Sequence, residues 1–204
     1  MKILLTAFDP FGGEPVNPAW EAVQLVRAPE GTELLRMQIP TVFGVSGDLV
    51  CAAMERERPD LVLCIGQAAG REAITPERAA VNLAEASIPD NAEAQPRGEP
   101  VVPGGPERLF SNLPVRDLAE AIRAAGVAAE VSDSAGTFVC NQLLYRVLDA
   151  IGQRYPGMGG GFLHVPCLPE QARRMEKEKT IPSMELEEIV KGLDAALRFL
   201  AENA

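Results

Sequence analysis

Histidine is almost absent from this chain: its 204 residues include one, His164. Any step that needs an imidazole near neutral pH must use it, because no other side chain has an unperturbed pKa in that range. A basic excess is also missing. Nineteen Lys and Arg stand against 29 Asp and Glu, a net charge of −10, which argues against nucleic acid or an anionic membrane as partner, since both attract a basic face. No apolar run is long enough to span a bilayer. Met1–Pro10 has too short an apolar stretch for a secretory signal before it meets Asp9-Pro10, so a cytoplasmic location is expected. The four cysteines include no Cys-x-x-Cys pair and are irregularly spaced, which fits reduced thiols better than a disulfide framework. His164-Val165-Pro166-Cys167 offers two possible metal ligands with a proline between them; a metal site is not expected. Phe8-Asp9-Pro10-Phe11-Gly12-Gly13 carries neither Gly-x-Gly-x-x-Gly nor Gly-Lys-Ser/Thr, so the nucleotide-binding signatures are lacking as well.

What is present is an alternation of strand-like and helix-like segments over the whole length. It predicts an α/β fold: a three-layer α/β/α open sandwich around a twisted, largely parallel (mixed) central sheet, in one domain covering 1–204. The expected strands are Lys2–Phe8, Leu34–Ile39, Asp60–Gly66, Glu130–Ser132 and Gly161–Val165. Several are continuous apolar runs, as in strands covered on both faces. Asn17-Pro18 reads as a helix start, Asn as cap and Pro in the first turn. Further helices are expected over about 45–58 and 115–125, and a last one capped by Ser183 carries Leu186, Ile189, Leu193, Leu197 and Leu200 on one stripe. The stretch Ile88–Pro106 holds five prolines and three glycines, the composition of a functional lid or a mobile excursion.

The chemistry centres on two residues. His164 ends an apolar strand; Cys140 lies 24 residues upstream, where Ser134-Ala135-Gly136-Thr137-Phe138-Val139 passes into an amphipathic helix. With Thr137 as cap, Cys140 falls third in the helix, beside free N–H groups and the positive end of the helix dipole, which lowers a thiol pKa and can hold an oxyanion. Cys64 lies inside an apolar strand and Cys51 inside a helix, both as packing residues. Cys167 lies in a Pro-flanked turn near the histidine. Cys140 could equally head the buried stripe Leu144, Val147, Leu148, Ile151. An imidazole base needs an orienting acceptor; spacing leaves Glu72 and Glu77 both open. Phe8 and Phe11, three apart at a strand end, could line an apolar slot.

The chain resembles the pyrrolidone-carboxylate peptidases, or pyroglutamyl peptidases I, a family of cysteine exopeptidases. The resemblance is colinear and rests on Leu4–Gly13, Val16–Val23, Ile74-Thr75-Pro76-Glu77-Arg78, Ile88-Pro89-Asp90-Asn91, Ala135–Asn141 and Phe162–Pro166. It implies Cys140 as nucleophile, His164 as base and Glu77 as the orienting carboxylate. It further implies Phe8 and Phe11 beside a pyroglutamyl ring, with Gln67 and the backbone near Phe138, Val139 and Cys140 at the pocket. The implied substrates are peptides with N-terminal pyroglutamate, the implied reaction needs no cofactor, and the implied assembly is a homotetramer. Three positions depart from the family pattern: Ala69 for a frequent glycine, Cys167 for a usual aromatic, and Ser87 where many relatives carry arginine; Ser87 is given no role. Two other functions fit the same scaffold, a catalytically silent pyroglutamyl-peptide-binding protein and a nucleoside phosphorylase-like enzyme. The intact Cys140, His164 and Glu77 set argues against the first, and the missing phosphate cluster against the second.

Overall fold

The computed structural model describes residues 1–175 and 180–203. In chain order the elements are β1 (Lys2–Phe8), α1 (Pro18–Leu25), β2 (Glu33–Ile39), α2 (Val45–Glu57), β3 (Leu61–Gln67), β4 (Thr75–Pro76), β5 (Ala79–Val81), β6 (Ala84–Glu85), β7 (Arg97–Glu99), β8 (Arg108–Phe110), α3 (Val115–Ala124), α4 (Val139–Arg154), β9 (Gly159–Val165), α5 (Pro169–Met175) and α6 (Leu186–Glu202). The main sheet runs β2-β1-β3-β9-β4. Its first four strands are parallel and β4 is antiparallel to β9. Phe8 pairs with Ile39 and Gln67 with Val165, so the carboxyl ends of the parallel strands line up at one edge. Open α/β sheets bind their ligands beyond that edge.

Alternation of side chains divides the core. Ile3, Leu5 and Ala7 of β1 and Leu61, Leu63 and Ile65 of β3 pack with residues of α1, α3 and α6. Leu4 and Phe8, Val62 and Cys64, and Phe162 of β9 pack with α2 and α4 on the other face. This is the expected three-layer arrangement, and the apolar runs of β1, β3 and β9 are continuous because both faces are covered. Helix α1 starts as anticipated: Asn17 Oδ1 accepts from the N–H of Ala19, with Pro18 in the first turn. Each large aliphatic side chain buried on these helices contributes about 1.5–3 kcal/mol.

Four local expectations are corrected. Residues 130–132 form no strand of their own; Ile74–Ala129 and Glu77–Ser132 are isolated parallel bridges that attach this segment outside β4. The last helix begins at Leu186 behind Glu185, because Ser183 is drawn into a bridge with Cys167. Helix α4 begins behind Phe138 rather than Thr137, and the Thr137 hydroxyl is instead turned to the Glu85 carbonyl, to which it donates at 2.8 Å. Finally, 88–106 is pinned rather than free. The buried Asp90 accepts from the N–H groups of Phe43, Ala92 and Ala94, and β7 pairs with β6.

Candidate active site

A cavity of about 310 Å³ opens at the carboxyl edge of the sheet, within the range of small-ligand sites. Its apolar walls come from Phe8 at the end of β1, Phe11 in the loop that follows, Phe138 before α4, and Ala68 and Ala135. Phe11 and Phe138 stack in a tilted pair at 6.2 Å, and Phe43 meets Phe138 edge-on at 5.2 Å. Polar groups reach it from Asn17, Thr41, Gln67, Ser134, Cys140 and His164, and Arg71 is the only charged side chain among the described residues that line it. No Asp or Glu is among the described residues that line it.

Several segments converge to hold the loop carrying Phe11. Asp9 Oδ1 accepts from the Thr41 N–H at 2.7 Å and from Asn91 Nδ2 at 3.1 Å, and Asn91 also donates to the Pro10 carbonyl. Asn17 donates to the Asp9 carbonyl. The proline-rich stretch therefore buttresses the cavity from behind; none of its residues lines it.

His164 lies in β9, opposite Gly66 in β3 and Thr75 in β4. The antiparallel pairing of β4, continued by the Glu77 N–H to the Phe162 carbonyl at 2.9 Å, carries the next residue, Glu77, to the imidazole. Oε1 of Glu77 is 2.7 Å from Nδ1 of His164, and both side chains are buried, Glu77 at 0% exposure. A carboxylate paired with an arginine can only accept, so Nδ1 carries the proton and Nε2 is left as the basic atom. Glu72, the other acidic residue the sequence left open, is exposed and does not line the cavity.

Cys140 is the second residue of α4. No side chain caps this helix, so its first N–H groups have no intrahelical acceptor and are free for an anion. The sulfur sits tightly against β3: a Cβ placed on Gly66 would lie 3.1 Å from Cys140 Sγ and 2.6 Å from Cζ of Phe162. The Phe162 ring in turn packs 4.7 Å from that of His164. Gly66 is thus what lets thiol, phenyl ring and imidazole share one corner. The sequence carried its signal, a glycine inside an apolar strand.

Electrostatics run against the lowered thiol pKa expected at a helix start. Burial pushes the Cys140 thiol up to about 12, the Glu77 charge adds to this and Arg71 opposes it; the helix start does not outweigh these effects. Burial also lowers the His164 pKa below its usual value, more than the hydrogen bond and charge of Glu77 raise it, and Arg71 acts in the same direction as burial. Both shifts favour a neutral thiol beside a neutral imidazole. The other cysteines are in less suitable places. Cys64 is buried, its thiol pushed up to about 12. Cys167 is fully buried and is held in its turn by donating to the Pro182 carbonyl at 3.2 Å. Cys51 lies on α2, away from the cavity. Ser87 is exposed and outside the lining.

The cavity gathers Phe8, Phe11, Gln67, Phe138, Cys140 and His164 as the sequence reading required. Val139 is outside the lining; its side chain is buried in the core, and only its backbone, the part the resemblance implied, is left for a ligand. Arg71 was missed. Its Nη1 lies 2.6 Å from Glu77 Oε1 and also donates to Thr75 Oγ1, and Nη2 donates to the Ser134 carbonyl at 3.2 Å. No spacing rule marks such a residue, because its partners are brought together only by the fold.

Comparison with known proteins agrees over the full length. The family model for pyroglutamyl peptidase matches residues 1–203. The pyrrolidone-carboxylate peptidase of Levilactobacillus brevis is 48% identical over 199 residues, covering 97% of this chain and 96% of its own. That of Streptomyces coelicolor is 47% identical over 198 residues, covering 96% and 90%. Among solved structures, pyroglutamyl peptidase I of Bacillus amyloliquefaciens superposes with a TM-score of 0.91 at 45% identity, over 98% of this chain and 97% of that one. The pyrrolidone carboxyl peptidase of Pyrococcus furiosus superposes at 0.93 with 35% identity, over 100% and 99%.

Proposed function

This chain belongs to the pyroglutamyl peptidase family, and we propose that its acyl-transfer chemistry is carried by Cys140, His164 and Glu77. It is a hydrolase that removes an N-terminal pyroglutamyl residue from peptides. The observation that carries the assignment of roles is the pairing of the one imidazole with a buried carboxylate, in a cavity that also holds a thiol at an uncapped helix start.

In this reading Nε2 of His164 takes the thiol proton as Cys140 Sγ adds to the pyroglutamyl carbonyl carbon. The carbonyl π electrons move to oxygen, and the free N–H groups at the start of α4 stabilise that oxyanion. Because the resting thiol and imidazole are both neutral, proton transfer accompanies attack instead of preceding it. Glu77 holds the ring through Nδ1 and stabilises the imidazolium. His164 then protonates the leaving amine as the C–N bond breaks, giving a thioester. Water, deprotonated by His164, attacks the thioester; pyroglutamate leaves and Cys140 recovers its proton.

Specificity follows from charge. A pyroglutamyl residue has a lactam N–H and carbonyl on a small apolar ring and no α-ammonium. Phe8, Phe11 and Phe138 supply walls, while Gln67 and backbone groups near Phe138 supply polar contacts. An N-terminal Gln, Glu or Pro would bring an ammonium into a cavity whose described lining residues include one arginine and no carboxylate, and desolvating it unpaired costs several kcal/mol. The test is parallel release of a fluorescent amine from pyroglutamyl, prolyl, glutaminyl and glutamyl amides. Only the pyroglutamyl compound is expected to turn over; comparable prolyl or glutaminyl cleavage would remove the basis of this reading.

The proposal extends to a cytoplasmic homotetramer. The net charge of −10 and the absence, among the described residues, of a helix long and apolar enough to cross a membrane support a partnership with peptides, not nucleic acid or lipid. Exposed Leu25 and Phe110 give a second copy apolar surface to cover. Sedimentation of the purified enzyme tests the assembly.

A further inference from the structure

We propose that Arg71 is a positioning residue of this active site: bridging Glu77 to the loop that leads into the nucleophile helix, it holds the carboxylate on His164 and keeps the imidazole in its basic form. The inference rests on the roles given above to Cys140, His164 and Glu77, and goes beyond them.

The geometry is specific. Arg71 Nη1 and His164 Nδ1 converge on the same oxygen of Glu77, at 2.6 and 2.7 Å, and Oε2 of Glu77 has no hydrogen-bond partner among the described residues. A carboxylate at 0% exposure needs a paired cation and is costly without one. Arg71 supplies that cation from a side chain that is only partly buried, 25% exposed, at the cavity wall. Its second arm, Nη2 on the Ser134 carbonyl, fastens the segment that runs through Ala135, Gly136 and Phe138 to Cys140. One guanidinium therefore fixes the distance between the base's carboxylate and the loop carrying the nucleophile. A lysine, a point charge on a flexible stem, cannot hold both at once.

The charge has a separate effect. His164 is faced by the Glu77 carboxylate and by Arg71 across the shared oxygen, and shares the cavity lining with Cys140; β3 presents Gly66, which carries no charge, and its own strand presents the Phe162 ring. A fixed cation this close opposes formation of an imidazolium in the resting enzyme, in line with the direction in which Arg71 acts on His164. Arg71 thus keeps the base unprotonated to lower pH, and Glu77 stabilises the imidazolium once it forms.

The test uses Arg71→Met and Arg71→Lys with a pyroglutamyl amide, reading kcat, KM and the pH profile of kcat/KM, beside thermal melts. For Arg71→Met the expected result is a fall in kcat of about ten- to hundredfold, the scale found for outer partners of a ligating imidazole, with KM little changed and the acid limb moved to higher pH. Arg71→Lys is expected to keep the limb near that of the unaltered enzyme while losing part of kcat. Unchanged kcat and limb in a folded Arg71→Met overturn the proposal, as does a rise in KM alone, or a loss of activity with no movement of the limb. If Arg71→Met does not fold, full kcat in Arg71→Lys overturns it. Cys140→Ser and His164→Ala run alongside: activity in either removes the underlying assignment, whereas their inactivity beside fully active Arg71 variants overturns the role of Arg71 alone.

Discussion

Nδ1 of His164 and Oε1 of Glu77 meet at 2.7 Å in the interior, with the imidazole almost fully buried and the carboxylate completely so. The pair joins a main-sheet strand to the residue just after the two-residue antiparallel strand at the sheet's edge, and it fixes which ring nitrogen is left to act as base. Most of the enzyme's measurable behaviour follows from this contact and from the thiol beside it.

The two partners should differ in severity. Removing the imidazole removes the base, so His164→Ala is expected to lower kcat by about 10⁴-fold or more. Glu77→Gln keeps size and an acceptor but loses the charge that stabilises the imidazolium, and should cost roughly 10²–10⁴-fold, the ordering seen when triad members are removed singly. Steady-state kinetics on folded variants decides; a Glu77→Gln more damaging than His164→Ala would contradict the roles.

The pH profile has a predicted sign. Activity needs neutral His164, whose pKa is lowered below 6.5 by burial, so kcat/KM should fall only on the acid side of 6.5. With the thiol pushed up to about 12, no gain is expected on passing the ordinary thiol pKa near 9. A profile rising steeply between pH 8 and 10 would show thiolate formation as a separate step. Stability is linked to the same group. The unfolded state binds the proton more readily than the folded one, so stability is intact above 6.5 and declines as pH falls through the folded pKa. Chemical denaturation at several pH values measures it.

Gly66→Ala should be disproportionately harmful for one methyl group. The added Cβ would press on the Phe162 ring at 2.6 Å and on Cys140 Sγ at 3.1 Å, costing about 1–3 kcal/mol as overpacking does and displacing the nucleophile. A variant with near-normal Tm and near-normal kcat would mean that this corner has slack.

Much of this was legible in the sequence for identifiable reasons. Strands β1, β3 and β9 are runs of apolar residues bounded by turns, β2 mixes apolar with charged and polar residues, and Asn17-Pro18 marks a helix start by side-chain chemistry alone. Strands β4 to β8 have two or three residues each, too short for any period, and exist only because their partners are in place. The same distinction holds in the site. Cys140 and His164 stood out because they are rare types at element ends. Glu77 needed the family resemblance, since nothing local distinguishes it from Glu72. Arg71 was invisible, because Thr75, Glu77 and Ser134 are gathered around it by β4 pairing with β9. The direction of the thiol's pKa shift differs from the sequence reading for a physical reason: the helix start was visible in the sequence, but the burial that outweighs it was not.

The most direct test of the account is turnover of a pyroglutamyl amide by Cys140→Ser, with Cys51→Ser, Cys64→Ala and Cys167→Ser measured beside it and folding checked by circular dichroism. The account predicts a folded but inactive Cys140→Ser and substantial activity in the other three, with lowered stability for Cys64→Ala at a fully buried position. Near-normal turnover by Cys140→Ser, or abolition of turnover in a folded Cys167→Ser, would contradict it.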